Sequence, residues 1–217
     1  MSGGIASPSD PRLPKPRRSP MPKWERSGIT MGVIAVALLV VEAIDMATGG
    51  DLDEYGIVPR RLSGLDGIIW APLLHSDFAH LIGNLIPGVV LGFLLLMSGR
   101  FLWVTAIVWV ISGLGVWLTA PTGSVTIGAS GIVFGWLAYL LVRGLFNRDV
   151  WQVLGGVVLL AVYGGILWGV LPHGGGVSWQ GHLFGAVGGV LAAWMLSDRR
   201  DPGSSEPRRP ELKGGPR

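Results

Sequence analysis

Apolar residues come in long, nearly unbroken runs along this chain, where a water-soluble fold would alternate them with polar ones every two to four positions. A bilayer core of about 30 Å needs roughly 20 residues of helix to cross it. Six stretches meet that length, at about 28–47, 80–98, 101–120, 129–146, 150–170 and 180–197. Only SGR separates the second from the third and FNRD the fourth from the fifth, so each pair is predicted to form a tight helical hairpin. No internal repeat is evident.

Composition turns this pattern into a class. Of 217 residues, 49% are hydrophobic and 14% charged, with a mean hydropathy of +0.51. A soluble domain of this size carries roughly a quarter charged residues. The charges are also segregated. Residues 1–27 and 198–217 are polar and rich in Pro, Arg and Ser, and are expected to be disordered tails around one membrane-embedded domain, 28–197. The expected fold class is therefore an all-α membrane protein with six transmembrane helices.

Orientation follows from the Lys and Arg positions, which accumulate on the cytoplasmic side. The N-terminal tail holds six, Arg100 lies in one connection, Arg143 and Arg148 at another, and the C-terminal tail holds six. With six spans all of these fall on one side, and only Arg60 and Arg61 fall on the other. Both termini are thus expected in the cytoplasm, with the first loop, 48–79, outside. The apolar half of that loop, GLDGIIWAPLL, is expected to lie in the interface as a short helix.

The formal charge of +3 and an isoelectric point near 9.7 arise in the tails, so they indicate solvated segments or contact with anionic lipid headgroups, not nucleic acid. The chain has no cysteine, which excludes disulfides and thiolate metal sites. No secretory signal peptide is evident, because the first apolar run starts late and lacks a small-x-small cleavage site.

Polar groups inside membrane spans are costly and usually functional. Away from the segment ends they are His80 and Asn84 in span two, Ser130 opening span four in TIGASGIVFGW, and His182 in span six. His75 precedes span two by about a turn; Asp77, Glu42 and Asp45 lie toward the outer rim, and every lysine lies in a tail. At about 1.5 Å of rise per residue, Arg100 to Asn84 is roughly 24 Å, Arg148 to Ser130 roughly 27 Å and Asp198 to His182 roughly 24 Å. Three polar groups on three spans therefore reach one level, below the outer surface. Taken singly, each reads as packing or interhelical hydrogen bonding; together at one depth they read as a site.

Glycines surround them. Gly128 and Gly131 flank the serine and permit a tight turn into the helix. Gly181, Gly185 and Gly189 repeat every four residues beside His182, a small-residue face on which span four can pack closely through Gly135. That packing would bring Ser130 and His182 within reach of each other. A serine hydroxyl is a poor nucleophile until a base takes its proton. With no buried lysine and no carboxylate at this depth, the base is His182, oriented by packing and hydrogen bonds. Oxyanion donors are available from His80, the Asn84 amide and the Ser130 backbone N–H.

HSDFAHLIGN (His75 to Asn84), GASG (Gly128 to Gly131) and GHLFGAVGG (Gly181 to Gly189) resemble, in order and spacing, the three signatures of the rhomboid intramembrane serine proteases. The resemblance covers about 40–197. It implies a rhomboid-like six-helix bundle with Ser130 as nucleophile, His182 as general base, and His80 and Asn84 at the oxyanion. It also implies single-span membrane proteins as substrates, cut within or near a helix that unwinds into the site, in the cytoplasmic membrane of a bacterium, with neither metal nor cofactor. Two positions depart from the family pattern. Phe134 stands where members often carry a tyrosine stacked on the histidine, and the first loop offers PRR and a separate Trp70 instead of a Trp-Arg pair. Two other readings are a catalytically inactive rhomboid-like protein that binds membrane helices, and a metal or haem protein using His75, His80 and His182. Retention of both Ser130 and His182 weighs against the first, and the five-residue spacing of His75 and His80 against the second.

Overall fold

The structure is a computed structural model that describes residues 20–172 and 177–197. The expected C-terminal tail and most of the N-terminal one lie outside the described residues. Seven α-helices account for most of what is described: α1 (Lys23–Thr48), α2 (Gly67–Trp70), α3 (Phe78–Ser98), α4 (Phe101–Thr119), α5 (Ser130–Asn147), α6 (Val150–Tyr163) and α7 (Trp179–Met195). No strand occurs among the described residues, only an isolated antiparallel bridge between Ile57 and Thr126.

Helix is the state these runs must adopt in lipid, because each segment then satisfies its backbone polar groups internally. Among the described residues, five helices are long and apolar enough to cross a membrane: α1, α3, α4, α5, and α6 together with the 3-10 segment Gly164–Val170 that prolongs it. The sixth expected span, 180–197, falls on α7, which has 17 residues and is not among these five. α1 starts at Lys23, ahead of the expected start at 28, with Pro22 in extended conformation before it. The short connections are closed by chemistry legible in the sequence. Gly99, at φ +78°, ends α3 one residue before Arg100 caps α4. Asp149 caps α6 by accepting from the Trp151 and Gln152 N–H groups.

α5 is the central element, with every residue from Gly131 to Leu140 buried. It packs on α7, α6, α4 and α3, while α1 lies outside against α3. Leu91 and Leu95 of α3, Val104 and Val108 of α4, Leu137 of α5 and Ala192 of α7 form the fully enclosed centre. The outward faces of α1 (Val33, Val36, Val40) and α6 (Val157, Val158, Val162) stay exposed and apolar, as surfaces solvated by lipid do.

The seam between α5 and α7 is built from glycine. A Cβ at Gly185 would collide with the Gly131 carbonyl oxygen, one at Gly189 with that of Gly135, and one at Gly135 would stand 2.8 Å from the Gly185 oxygen. The four-residue glycine spacing thus has the close backbone approach expected of it.

The first loop is stitched onto α4 and onto the segment that leads into α5. Trp109 Nε1 donates to the Ile68 carbonyl (2.6 Å) and Trp117 Nε1 to that of Arg61 (2.9 Å). Ile57 and Thr126 exchange backbone hydrogen bonds of 2.9 and 3.0 Å, and the Gly128 N–H donates to Ala71 at 2.8 Å. Within GLDGIIWAPLL, Gly67–Trp70 is helical as expected and is followed by a 3-10 turn, Ala71–Leu73.

Candidate active site

Ser130 does not cap its helix. The N-cap position of α5 is Ala129, and Ser130 is the first helical residue. Gly128 precedes them at φ +111°, a left-handed conformation that glycine adopts without strain. The side chain released by that turn points at α7, where Ser130 Oγ lies 2.9 Å from His182 Nε2.

His182 is buried in the first turn of α7, a helix capped by the Ser178 hydroxyl accepting from the Gly181 N–H. Its ring is stacked on Phe134, centroids 4.0 Å apart and planes 6° apart. Phe134 stands one turn after Ser130, so a single helix presents both the hydroxyl and the platform for the imidazole. On the other side, His182 Nδ1 lies 2.9 Å from the carbonyl oxygen of Gly169. A carbonyl only accepts, so in the neutral ring the proton sits on Nδ1 and the Nε2 lone pair faces the serine hydroxyl.

α3 supplies the third wall. Asn84 is buried, and its amide donates to the His80 carbonyl one turn back at 3.2 Å, with a second amide proton available. His80 is half-buried. Its Nδ1 lies 3.3 Å from the Ser76 hydroxyl, and its Nε2 faces Gly128, 2.7 Å from where a Cβ there would stand. The same Cβ would be 3.7 Å from Asn84 Nδ2. The absence of a side chain at Gly128 therefore keeps open a space bounded by His80, Asn84 and the start of α5. Backbone N–H groups in the first turn of a helix lack intrahelical acceptors and carry its positive dipole end, which favours negative charge there. A cavity of about 30 Å³ adjoins Ser130 on the α4 side, lined in part by Ser112, Ser178 and Gly181. That is room for a water molecule.

All the residues expected at one depth, Asn84, Ser130 and His182, converge here with His80, Gly128, Gly131 and Phe134 around them. Gly185 and Gly189 sit behind, in the seam that sets the α5–α7 spacing. Three contributors escaped the sequence reading. His75, expected ahead of span two and weighed there as a metal or haem ligand, is buried and folds back so that Nε2 accepts from the Ala129 N–H at 3.4 Å. Burial, assisted by the nearby His80, lowers its pKa to about 4. Ser112 of α4 donates to the Gly181 carbonyl at 2.9 Å, tying α4 to the turn that carries His182. Gly169 contributes through its backbone alone. The five-residue spacing of His75 and His80 was the signal that could have pointed to His75; nothing in the sequence marks a backbone carbonyl. Asp77, near the outer rim as expected, caps α3 by accepting from the His80 N–H at 2.8 Å, which holds its carboxyl below the usual range.

The pattern of the Rhomboid domain matches residues 64–199, well over half of the chain. The chain belongs to the rhomboid family. It is 50% identical over 197 residues to uncharacterized proteins of Mycobacterium tuberculosis and Mycobacterium bovis, covering 86% of this rhomboid and 82% of each relative. A further uncharacterized protein, of Mycobacterium leprae, is 48% identical over 185 residues, covering 81% of this chain and 73% of that one. The protein named "Putative rhomboid protease YdcA" of Bacillus subtilis is 28% identical over 133 residues, covering 59% of this rhomboid and 66% of its own length.

Proposed function

We propose that this rhomboid is an intramembrane serine endopeptidase that cleaves single-span membrane proteins within or near their transmembrane helix. The 2.9 Å contact between Ser130 Oγ and His182 Nε2, in the tautomer that leaves Nε2 free to accept a proton, carries this reading. His182 takes the hydroxyl proton as Ser130 Oγ bonds to the scissile carbonyl carbon. The carbonyl oxygen becomes an oxyanion at the N-terminal end of α5, where the Ser130 N–H, the second Asn84 amide proton and His80 Nε2 can donate to it. Collapse breaks the C–N bond, and the leaving nitrogen takes the proton from His182. Water then attacks the acyl-serine with His182 again as base, and the second collapse returns the proton to Ser130 Oγ. Phe134 keeps the imidazole plane fixed throughout. No step calls on a metal or a cofactor.

The arrangement supports a site reached by water from the outer side, because Ser130 is at the end of α5 that carries the loop 120–129. The reading includes basic tails 1–27 and 198–217 in the cytoplasm, a domain 28–197 that crosses six times, and a place in the cytoplasmic membrane of a bacterium.

The test uses purified wild type, Ser130→Ala and His182→Ala in liposomes with single-span model substrates bearing small, helix-breaking residues near the outer face. Cleavage by wild type alone, unaffected by chelator, is expected. Cleavage that persists in Ser130→Ala removes this serine as nucleophile. Failure of a fluorophosphonate to label wild-type Ser130 would favour a helix-binding protein without catalysis. A cytoplasm-dependent reporter fused after Arg217 is expected to be active; an inactive one overturns the topology.

A further inference from the structure

A second cavity, of about 240 Å³, lies among α1, α3, α4 and α5, with Pro72 and Leu73 of the 3-10 turn over one end. On α4 its wall is Phe101, Thr105 and Trp109, one every fourth residue, so it runs lengthwise along the helix for roughly 12 Å. Ile34 and Leu38 of α1 keep the same one-turn spacing on the facing wall. Met31, Phe101 and Trp136 close the far end. A Cβ at Gly92 would stand 2.7 Å from Met31 and 2.9 Å from Trp136, and the Phe101 and Trp136 rings are 5.3 Å apart. The near end reaches Asn84 and Ala129 at the candidate active site, whereas Ser130 and His182 do not line the cavity. α1 packs closely on α3 but not on α4 or α5. Ile34 on one side of that gap and Phe101, Thr105 and Trp109 on the other are only partly buried, so the cavity opens between α1 and α4.

The lining decides what fills it. Its two indole N–H groups are already engaged, Trp109 with the Ile68 carbonyl and Trp136 with the Thr105 hydroxyl at 3.0 Å. Apart from the tryptophans, Asn84 and Thr105 are the polar side chains of the wall. Water needs roughly two to four polar partners to stay in a cavity, and apolar cavities of about 150 Å³ remain dry and take up hydrocarbon instead. Left empty, the wall forfeits its dispersion contacts. In a bilayer the hydrocarbon at hand is the lipid tail, a flexible chain that suits a long, narrow space with a side opening. A methylene is close in size to a water molecule of ~30 Å³, so the volume takes roughly eight of them in line. We propose that this cavity is a binding site for one acyl chain of a membrane lipid, which enters through the α1–α4 opening and lies lengthwise between Met31 and Leu73. The bound chain packs against the wall that carries Asn84, so the bilayer itself backs one side of the candidate active site. The inference stands whether or not the protein cleaves anything.

The experiment places the full-length protein in phosphatidylglycerol vesicles, part of whose lipid carries a diazirine near the end of one acyl chain. After illumination, adducts are mapped by mass spectrometry. Val33 and Val36 of α1 are exposed and serve as the reference for lipid at the outer surface. Every residue from Gly131 to Leu140 is buried, so an adduct on Ile132, Val133 or Trp136 reports a chain inside the bundle. Wild type is expected to carry adducts in both places. Two variants fill the space from different walls. A Cβ at Gly88 would stand 3.5 Å from Val133 Cγ2, an ordinary contact, so Gly88→Leu can extend into the cavity, and Ile34→Phe narrows the opening from α1. Both are expected to lose the α5 adducts and keep those on Val33 and Val36. Wild-type protein labelled at Val33 and Val36 but not on α5 overturns the inference. So do α5 adducts that persist in either variant once circular dichroism shows it folded, because the chain would then have reached α5 by another route.

Discussion

The α5–α7 seam and the α6 arm are both apolar, glycine-bearing helical structures, yet they are built to opposite specifications. In the seam, glycines let two backbones touch, so that neither helix can slide without collision. In the arm, made of α6 and its 3-10 extension, the close backbone approaches lie at Gly144 and Gly156, Leu159, Tyr163 and Leu167 pack only partly buried against the core, and Gly155 and Gly165 have no neighbour within 4 Å of a Cβ. The seam fixes the distance from Ser130 to His182. The arm supplies only the far-side partner of the imidazole. The contact that sets the Ser130–His182 spacing lies where helices pack backbone to backbone, and the Gly169 contact on the other side of the ring lies where few residues are buried.

The largest expected effect tests whether the fixed half includes α3. Asn84→Ala is expected to lower kcat about 100- to 1000-fold with KM nearly unchanged, the usual cost of removing one oxyanion donor. A loss confined to KM would move Asn84 from the oxyanion to substrate binding.

His75 gives the fixed half a pH signature. Its pKa is lowered in the folded protein to about 4, against 6.5 when exposed, so the unfolded chain binds more protons between those values. Stability is then expected to fall as pH drops from 6.5 toward 4, by up to about 3 kcal/mol, and to level off below. His75→Asn should flatten that part of the curve of thermal unfolding against pH. An unchanged slope would mean that the imidazole is not buried as described.

Paired glycine substitutions compare seam and arm directly. Gly185→Ala drives a methyl into the Gly131 carbonyl and is expected to destabilise by about 1–3 kcal/mol, with activity falling as Ser130 and His182 separate. Gly155→Ala meets nothing and is expected to be neutral or stabilising by up to about 1 kcal/mol, since alanine is the better helix former. Equal effects in thermal unfolding would erase the distinction. The smallest effect is expected for Phe134→Leu, which keeps bulk but removes a stacked ring worth about 0.5–1.5 kcal/mol. A roughly 2- to 10-fold drop in kcat is expected, and no drop would assign ring orientation to the Gly169 side alone.

The parts legible in the sequence are those on which the bilayer or a short repeat imposes a rule. Long apolar runs had to be helices, and the glycine repeat marked the face that meets α5 at Gly185 and Gly189, while Gly181 turns toward Val116 of α4. Ser130 and His182 could be paired because few polar groups share their depth. The rest was illegible for a physical reason. Gly169 acts through a carbonyl that every residue possesses. His75 acts by folding back outside any helical period, and Trp109 and Trp117 reach the first loop through indole N–H groups, contacts that no helical period marks. The expectation that packing and hydrogen bonds orient the imidazole in place of a carboxylate has a counterpart in the Phe134 stack and the Gly169 contact.

The clasp between the first loop and the approach to Ser130 is made largely by main-chain atoms: the Ile57–Thr126 pair, and Gly128 donating to Ala71. Such bonds do not read side chains. They ask only that glycine remain where backbones crowd, as at Gly67, whose Cβ would strike the Gly56 carbonyl, and at Gly56, whose Cβ would stand 2.8 Å from that of Thr126. The outer rim of this rhomboid is therefore free to diversify. Its loop can exchange most of its surface chemistry while Ser130 beneath remains moored in the same place.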